Sequence, residues 1–244
     1  MKIPVPEIAL EWRSLLPHEA GIAHQLHLRA IRSMDSKLVR QDGLDQFVDH
    51  VGRLGHTVGC FAPGQQMVAY GVLSLCSDTV TQMAQLLAVP QQDLDRFAVL
   101  DGAAVAPEWR DRQLHHSLIR ERMALAQACQ RSLLAVTAAP NNTPSLRALL
   151  GEGFSIAAFA FVYGGSARLV LTRDLRVRLL PAASGRNVEL DDFSGHESAL
   201  AAGLRGVRYD ERDGRPSLHY APCEAVQYQP LWLHDRGAPA PKTH

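Results

Sequence analysis

The sequence predicts an α/β protein, and three observations predict it. Phe97 to Val105 is a short apolar run. It passes through Pro107 into a segment with Leu114, Leu118, Met123, Leu125 and Cys129 near the helical period, so a strand runs straight into a helix. Pro63-Gly64 and Gly164-Gly165 each separate two strand-like runs, the mark of a hairpin. Ile22, Leu26, Ala30 and Ile31 repeat along one face of a helix opened by Pro17.

In chain order, Ile8–Leu15 reads as a first strand and Pro17 to about Met34 as a helix. Its His18, His24 and His27 lack a carboxylate or cysteine at a matching spacing, so solvated or capping histidines are expected and no metal. A loop from Asp35 to Gly43 leads to a helix carrying Leu44, Phe47, Val48, Val51 and Leu54, ended by Gly55. Thr57–Ala62 and Met67–Leu75 are strands, Asp78–Leu87 a short helix and Pro90–Asp95 a loop. After the central strand and helix come a strand at Leu133–Ala139 and a helix at Ser145–Leu150. Gly151-Glu-Gly153 closes that helix, and a hairpin of Phe154–Tyr163 with Arg168–Leu175 follows. Pro181-Ala-Ala-Ser-Gly reads as a linker that divides a domain at 1–180 from an extension at 181–244. In the extension Val188–Leu190 is a strand, Asp191–Leu204 a helix, and Val207–Tyr209 with Ser217–Tyr220 a strand pair around Asp213-Gly214. Ser184–Tyr220 is expected to pack on the domain, as added strands, a homodimer contact or a pocket cap. The tail from Ala238 is expected to be mobile. No internal repeat is visible.

The 244 residues are 46% hydrophobic, enough for a sizeable core, and 25 Lys and Arg balance 25 Asp and Glu. That balance gives no general attraction to nucleic acid or a membrane surface. Cys60, Cys76, Cys129 and Cys223 form no paired spacing, and buried reduced thiols in a cytoplasmic protein are expected. Neither a signal peptide nor a membrane span is predicted.

A strand that feeds a helix leaves the first-turn amides unpaired. With the helix dipole they form a phosphate site, to which Arg110 and Arg112 add positive charge. The residues here carry a resemblance. Val105-x-Pro107-x-x-Arg110-x-x-Gln113-x-His115 resembles the pyrophosphate loop of the GNAT superfamily of N-acetyltransferases, usually Val-x-Pro-x-x-Arg-Gly-x-Gly-x-Gly/Ala. Asn142-Thr-Pro-Ser145, closed by Gly153-Phe154, resembles the family's Asn-x-x-Ser/Ala and Gly-Phe block, with the strand Leu133–Ala139 between the two blocks as the family order requires. The resemblance runs from roughly Ile8 to Leu175. Asp111 and Gln113 stand where the family has glycines, and His115 takes the third small position.

The resemblance implies a mixed, mostly antiparallel sheet flanked by helices, and the small α+β extension lies outside the family core. It implies a V-shaped split between the strands Phe97–Val105 and Leu133–Ala139, with acetyl-CoA or another acyl-CoA as co-substrate. Amides near Ala103 and Val105 would bond the pantetheine. The segment Arg110, Asp111, Arg112, Gln113, Leu114, His115 and His116 would hold the pyrophosphate. Asn142 and Ser145 are expected as pantetheine contacts or caps, and Asp35–Asp42 as a source of acceptor contacts.

Acyl transfer to an amine needs a base for the acceptor's proton and a donor for the departing thiolate. Asp101 is the candidate base. Strict alternation along its strand puts it on the face of Ala103 and Val105. Aligning Gly153-Phe154 puts Leu149 where the family has its tyrosine acid, so Tyr163 is the candidate acid. The expected function is acetyl transfer from acetyl-CoA to a small-molecule amine by direct attack in a ternary complex. The rivals are a fold that binds a ligand or partner without catalysis, and an acyl-CoA enzyme with another donor or acceptor.

Overall fold

The computed structural model describes residues 9–32, 34 and 42–227. Its strands are β1 (Glu11–Ser14), β2 (Gly55–Ala62), β3 (Gln66–Ser74), β4 (Phe97–Val105), β5 (Leu133–Ala138), β6 (Ser155–Val162), β7 (Ser166–Asp174), β8 (Val177–Pro181), β9 (Arg186–Glu189), β10 (Arg205–Arg212), β11 (Arg215–Ala221) and β12 (Cys223–Gln227). The helices are α1 (Ala20–Ile31), α2 (Leu44–Asp49), α3 (Asp78–Leu86), α4 (Leu114–Ala128), α5 (Thr143–Gly151) and α6 (Phe193–Ala201).

Ten strands form one sheet in the order β1-β2-β3-β4-β5-β7-β6-β10-β11-β9, and β8 pairs with β12 in a separate ribbon. Every pairing is antiparallel except β4 with β5. Alternating side chains build two apolar layers. On one face Leu100, Leu134 and Leu171 pack with Ile119 of α4 and Leu146 of α5. On the other, Tyr70 and Val72 pack with Leu26 of α1 and Phe47 of α2, while Phe97, Val99 and Val170 pack with Met83 of α3.

Several expectations change. Pro17–Glu19 is a 3-10 turn before α1, and Gln91–Arg96, expected as a loop, is another. Helix α2 stops at Asp49, and Val51 to Leu54 form a turn rather than more helix. Ile22 is exposed, and Ala23, Leu26, His27 and Ala30 form the buried face of α1 instead. His27 is itself buried and hydrogen-bonded, so it is neither a solvated nor a capping histidine. Of the four free cysteines only Cys60 is buried. The loop residues 35–41 and the tail from Ala238 lie outside the described residues. No described helix is long and apolar enough to cross a membrane.

The extension does contain a repeat, against expectation. β5-α5-β6-β7 and β9-α6-β10-β11 have one topology: a helix joins the first strand to a hairpin whose second strand pairs back on the first. The features recur fifty residues apart. Helices α5 and α6 begin at Thr143 and Phe193, and Asn142 and Asp192 cap them by accepting from the amides of Ser145 and Gly195. Gly153 and Gly203 close them at φ 81 and 76, and Tyr163 and Asp213 open the hairpin turns at φ 52. Bulges fall at Ile156/Ala158 and at Gly206/Arg208.

The second unit joins the sheet by β10 against β6, Gly206 opposite Ile156. Its helix α6 lies on the same face as α5. Leu218 and Ala199 enter the core cluster of Leu146, and Arg147 pairs with Glu211 at 2.5 Å. Its other face is polar, with Asn187 bonded to Asp210, Ser217 and His219. Removal of residues 182–244 uncovers Ile156 and Phe159. We expect the truncated chain to melt at least about 5 °C lower, since about 2 kcal/mol moves a domain of this size that far. An unchanged melting curve in calorimetry would mean that the unit contributes nothing to the core.

Candidate functional site

β4 and β5 pair only from Phe97–Leu133 to Val99–Ala135, and beyond that point they diverge. Just past the last pair, the β3–β4 register slips between Gly71/Ala103 and Leu73/Leu100, so Asp101 and Gly102 together oppose Val72. Such a bulge bends its strand and leaves ladder groups unpaired. Arg122 of α4 takes them up. It is 2% exposed, and it donates to the carbonyls of Asp101 (3.1 Å), Val72 (3.4 Å) and Leu118 (3.2 Å). Burial lowers its pKa to about 10, opposed by the Asp101 charge and by Tyr70, so it stays a cation at neutral pH. Gly71 makes room for it, because a Cβ there would lie 2.9 Å from the arginine's Cδ and Nε.

The bulge also overturns the expected parity of Asp101. Ala103 and Val105 pack on the α4 side with Leu118, whereas Asp101 lies on the opposite face with Ala104, toward α1 and α2. One extra residue reverses the alternation. There the Asp101 carboxylate accepts from Ser74 Oγ at 3.3 Å and from the Gly102 amide at 3.0 Å. Ala106 donates its amide to Val68 of β3 at 2.8 Å, so the alternation turns the amides of Ala103 and Val105 away from β3, into the gap that β5 has left.

The gap opens into a cleft of about 490 Å³ that reaches both faces of the sheet. At its α4 end stands the segment expected to hold pyrophosphate. Asp111 and Gln113 sit at φ 63 and 59, the left-handed region, at the two positions where glycine was missed. The backbone thus takes the glycine conformation without the glycines, at a cost of about 1 kcal/mol each. Gln113 provides no side-chain cap to α4, so the first-turn amides of Leu114, His115 and His116 have no capping side chain. Arg110 donates to the Ala30 carbonyl at 2.9 Å, and Arg112 lies 4.7 Å from the Trp109 ring centroid, so both guanidinium groups brace the loop. His116 turns to Glu152 at 2.9 Å, where Arg120 also pairs. Burial works against the Glu152 charge, but Arg120 and His116 outweigh it and hold the pKa below the ordinary carboxylate value. His115 turns inward, and its buried Nε2 has no partner. Burial, then the charges of Arg122 and His116, push its pKa down to about 4. Asn142 and Ser145 line the cleft at the start of α5, where Asn142 Oδ1 accepts from the Ser145 amide at 3.4 Å. Leu149 is fully packed, so no acid stands at that position.

On the other face the cleft meets Tyr70, which the sequence did not single out, beside His27 and Asp42, the described end of the segment Asp35–Asp42. Tyr70 is 0% exposed, and its hydroxyl meets His27 Nδ1 at 2.8 Å. The Asp42 amide donates to His27 Nε2 at 3.3 Å, which makes Nε2 the acceptor and assigns the proton to Nδ1. Burial, then the charges of Asp42 and Asp101, raise the Tyr70 pKa well above its ordinary value, so the phenol stays protonated. A Cβ on Gly102 would lie 3.5 Å from the Asp42 carboxylate and 3.8 Å from the Tyr70 hydroxyl, so both groups crowd the bulge beside Asp101. Across the split, Tyr163 and Arg168 line the far wall, the guanidinium 6.0 Å from the tyrosine ring. Only the bulge could have drawn attention to Arg122 and Tyr70, and a bulge leaves no mark in composition. Among the described residues, no three His, Cys, Asp or Glu gather to hold a metal.

No protein-family model matches the sequence, and no curated protein matches it significantly. Solved structures do match the fold. The ribosomal-protein-S18-alanine N-acetyltransferase from Escherichia coli is 13% identical, with a TM-score of 0.51 over 68% of this chain and 94% of that one. A proposed acetyltransferase of the GNAT family from Desulfovibrio desulfuricans is 17% identical, with a TM-score of 0.51 over 68% and 99%. A proposed acetyltransferase from Salmonella typhimurium, yncA, solved with its cofactor acetyl-CoA, is 14% identical, with a TM-score of 0.53 over 68% and 94%. The chain therefore has the GNAT acetyltransferase fold.

His115 gives the site a pH dependence. Its folded pKa of about 4 lies below the ordinary 6.5, so between those values the unfolded chain takes a proton that the folded one refuses. Its contribution is complete above pH 6.5 and is lost as pH falls toward 4, by up to about 3 kcal/mol. His115→Gln should lose less stability than the parent between pH 7 and pH 4.5, measured by denaturant unfolding at each pH. Equal losses would mean that the ring is not held neutral.

Proposed function

We propose that the protein is an acyl-CoA-dependent N-acyltransferase that moves the acetyl group of acetyl-CoA to the amine of a small molecule. One observation carries this reading: the split after Val99–Ala135 turns the Ala103 and Val105 amides into a cleft that ends at the uncapped start of α4. An extended amide chain can pair with the first set of donors while its diphosphate meets the second. The likeness to acetyltransferase folds supports the same donor. Residues 1–180 would form the catalytic unit, with 181–244 as its structural extension.

In this reading Ala103 and Val105 bond the pantetheine and polarise the thioester carbonyl. The pyrophosphate rests on the amides of Arg112 to His116, in a loop held in shape by Arg110, Arg112 and the left-handed Asp111 and Gln113. Asn142 and Ser145 border the pantetheine. His115, neutral and buried, offers Nε2 to the cofactor rather than a proton to the reaction. The amine reaches the thioester from the α1–α2 face. Asp101, directly or through water, takes its proton as nitrogen attacks the carbonyl carbon. The C–N bond forms, the C–S bond breaks, and the thiolate is reprotonated from Tyr163 or water. Tyr70, kept protonated, stands beside Asp101 as a hydrogen-bond donor to the acceptor. Free thiols and neutral net charge suit a cytoplasmic protein that binds neither nucleic acid nor membrane.

A second reading, a cofactor-binding protein that does not transfer, draws on the packed Leu149 at the place of the acid. A melting scan with acetyl-CoA, CoA and desulfo-CoA separates binding from its absence. At about 100-fold over the dissociation constant, binding adds roughly 2.7 kcal/mol and should raise the midpoint by about 5–10 °C. No shift at millimolar cofactor would overturn both readings. Asp101→Asn should cut turnover about 10²-fold or more with the cofactor shift intact. Near-normal turnover would remove Asp101 from the proton path.

A further inference from the structure

We infer, within the transferase reading above, that the acceptor is an amino acid or a similar amino-carboxylic acid, with Arg168 as the residue that binds its carboxylate. Arg168 lies on β7 at 5% exposure and lines the cleft. It opposes Ala160 on β6 and stands two residues before Val170, on the face that packs against α3 rather than α4. That is the face of Asp101. Among the described residues its one hydrogen bond runs from Nη1 to the carbonyl of its own neighbour, Ala167, at 2.9 Å, and the Tyr163 ring lies 6.0 Å away. No carboxylate pairs with it among the described residues. A guanidinium out of water without an anion is costly, so such a group in the wall of a cleft calls for a ligand that supplies one.

The repeated unit shows that the fold does not require an arginine there. Ala160 opposite Arg168 corresponds to Asp210 opposite Ser217, and Ser217 simply bonds Asn187. The second unit has an edge strand, β9, where the first has the split beside β5, and so it has no cleft to serve. The arginine occurs in the copy that borders the cleft.

The charges on this face are divided in space. Asp42 and Asp101 stand on the β4 side, and Arg168 stands on the β7 side with β5 between them. Two strand spacings amount to about 10 Å where strands pair, and the gap is wider here because β4 and β5 have parted, so the aspartates and the arginine stand on opposite walls of one cleft. The space left suits an ammonium and a carboxylate joined by a short carbon chain. An ammonium drawn to the two aspartates arrives beside the candidate base. A carboxylate forked on Arg168 holds it in register with the thioester.

The test uses the full chain with acetyl-CoA and follows thiol release. Its probes are matched pairs: phenylalanine with phenethylamine, methionine with 3-methylthiopropylamine, lysine with cadaverine. Each amine lacks only the carboxylate. We expect at least one acid to exceed its amine in kcat/KM by about tenfold or more, as a charge-assisted forked contact allows. Arg168→Met should abolish that preference by raising KM for the acid, and Arg168→Lys should restore part of it. Arg168→Met should keep the acetyl-CoA melting shift and melt no lower than the parent, because it removes an unpaired buried cation.

No preference for any acid in the parent, or a preference that survives Arg168→Met, overturns the inference. So does an Arg168→Met variant that melts lower, since that marks a structural arginine. Succinyl-CoA beside acetyl-CoA tests the other source of a carboxylate: a preference for succinyl-CoA that Arg168→Met erases moves the anion to the acyl group and overturns the acceptor assignment. A parent without any acetyl-CoA shift sinks the transferase reading itself, whereas a normal shift with no preference for the acids sinks only this inference.

Discussion

The site depends on one buried cation. The Asp101–Gly102 bulge removes two carbonyls from their ladder, and Arg122 returns hydrogen bonds to them from inside α4. Buried unpaired carbonyls would otherwise cost about 1–3 kcal/mol each. With those groups satisfied, β4 can leave β5 without unravelling the sheet, and the cleft is the space between them. Gly71 gives the guanidinium its seat, and Leu118 of the same helix anchors it from behind. The helix whose first turn faces the cleft is therefore the helix whose third turn holds the cleft open.

This arrangement separates two kinds of chemistry. The α4–α5 side offers amides, from Ala103 and Val105 and from the start of α4, with a neutral imidazole at His115. The α1–α2 side offers charges and a phenol: Asp42, Asp101, Tyr70 and, across the split, Arg168. Amides suit a long cofactor that pairs along its length, whereas separated charges suit a small zwitterion. The bulge makes this division possible. It sends Asp101 to one face and Ala103 and Val105 to the other, within five residues of chain.

The segment proposed to hold pyrophosphate shows how far geometry can outlast sequence. Asp111 and Gln113 replace two glycines and still adopt φ near 60°. The surrounding structure fixes them there through Arg110 on the Ala30 carbonyl and Arg112 over Trp109. A strained backbone persists when its neighbours over-determine it, and such strain gathers at sites. The repeated β-α-β-β unit makes the same point on a larger scale. Its two copies share caps, closing glycines, bulges and turn dihedrals fifty residues apart. Between residues 142–164 and 192–214 they agree in identity only at Leu150 and Leu200, Gly153 and Gly203, and Gly164 and Gly214.

The sequence by itself determined the local elements and their order. Apolar period placed α1, α4 and β4, turn glycines placed both hairpins, and Asn142 with Gly153 bracketed α5, because each of these depends on neighbours a few residues away. It also marked the fold through two short motifs at the right separation. The tertiary structure alone decided which face Asp101 occupies, because one inserted residue reverses parity with no signature in composition. It alone decided that His27 and Tyr70 meet across forty-three residues, that Arg122 and Arg168 are buried, and that the extension repeats the core. Pairing, burial and register at these places are set by contacts between segments distant in the chain, and a linear pattern carries no record of such contacts.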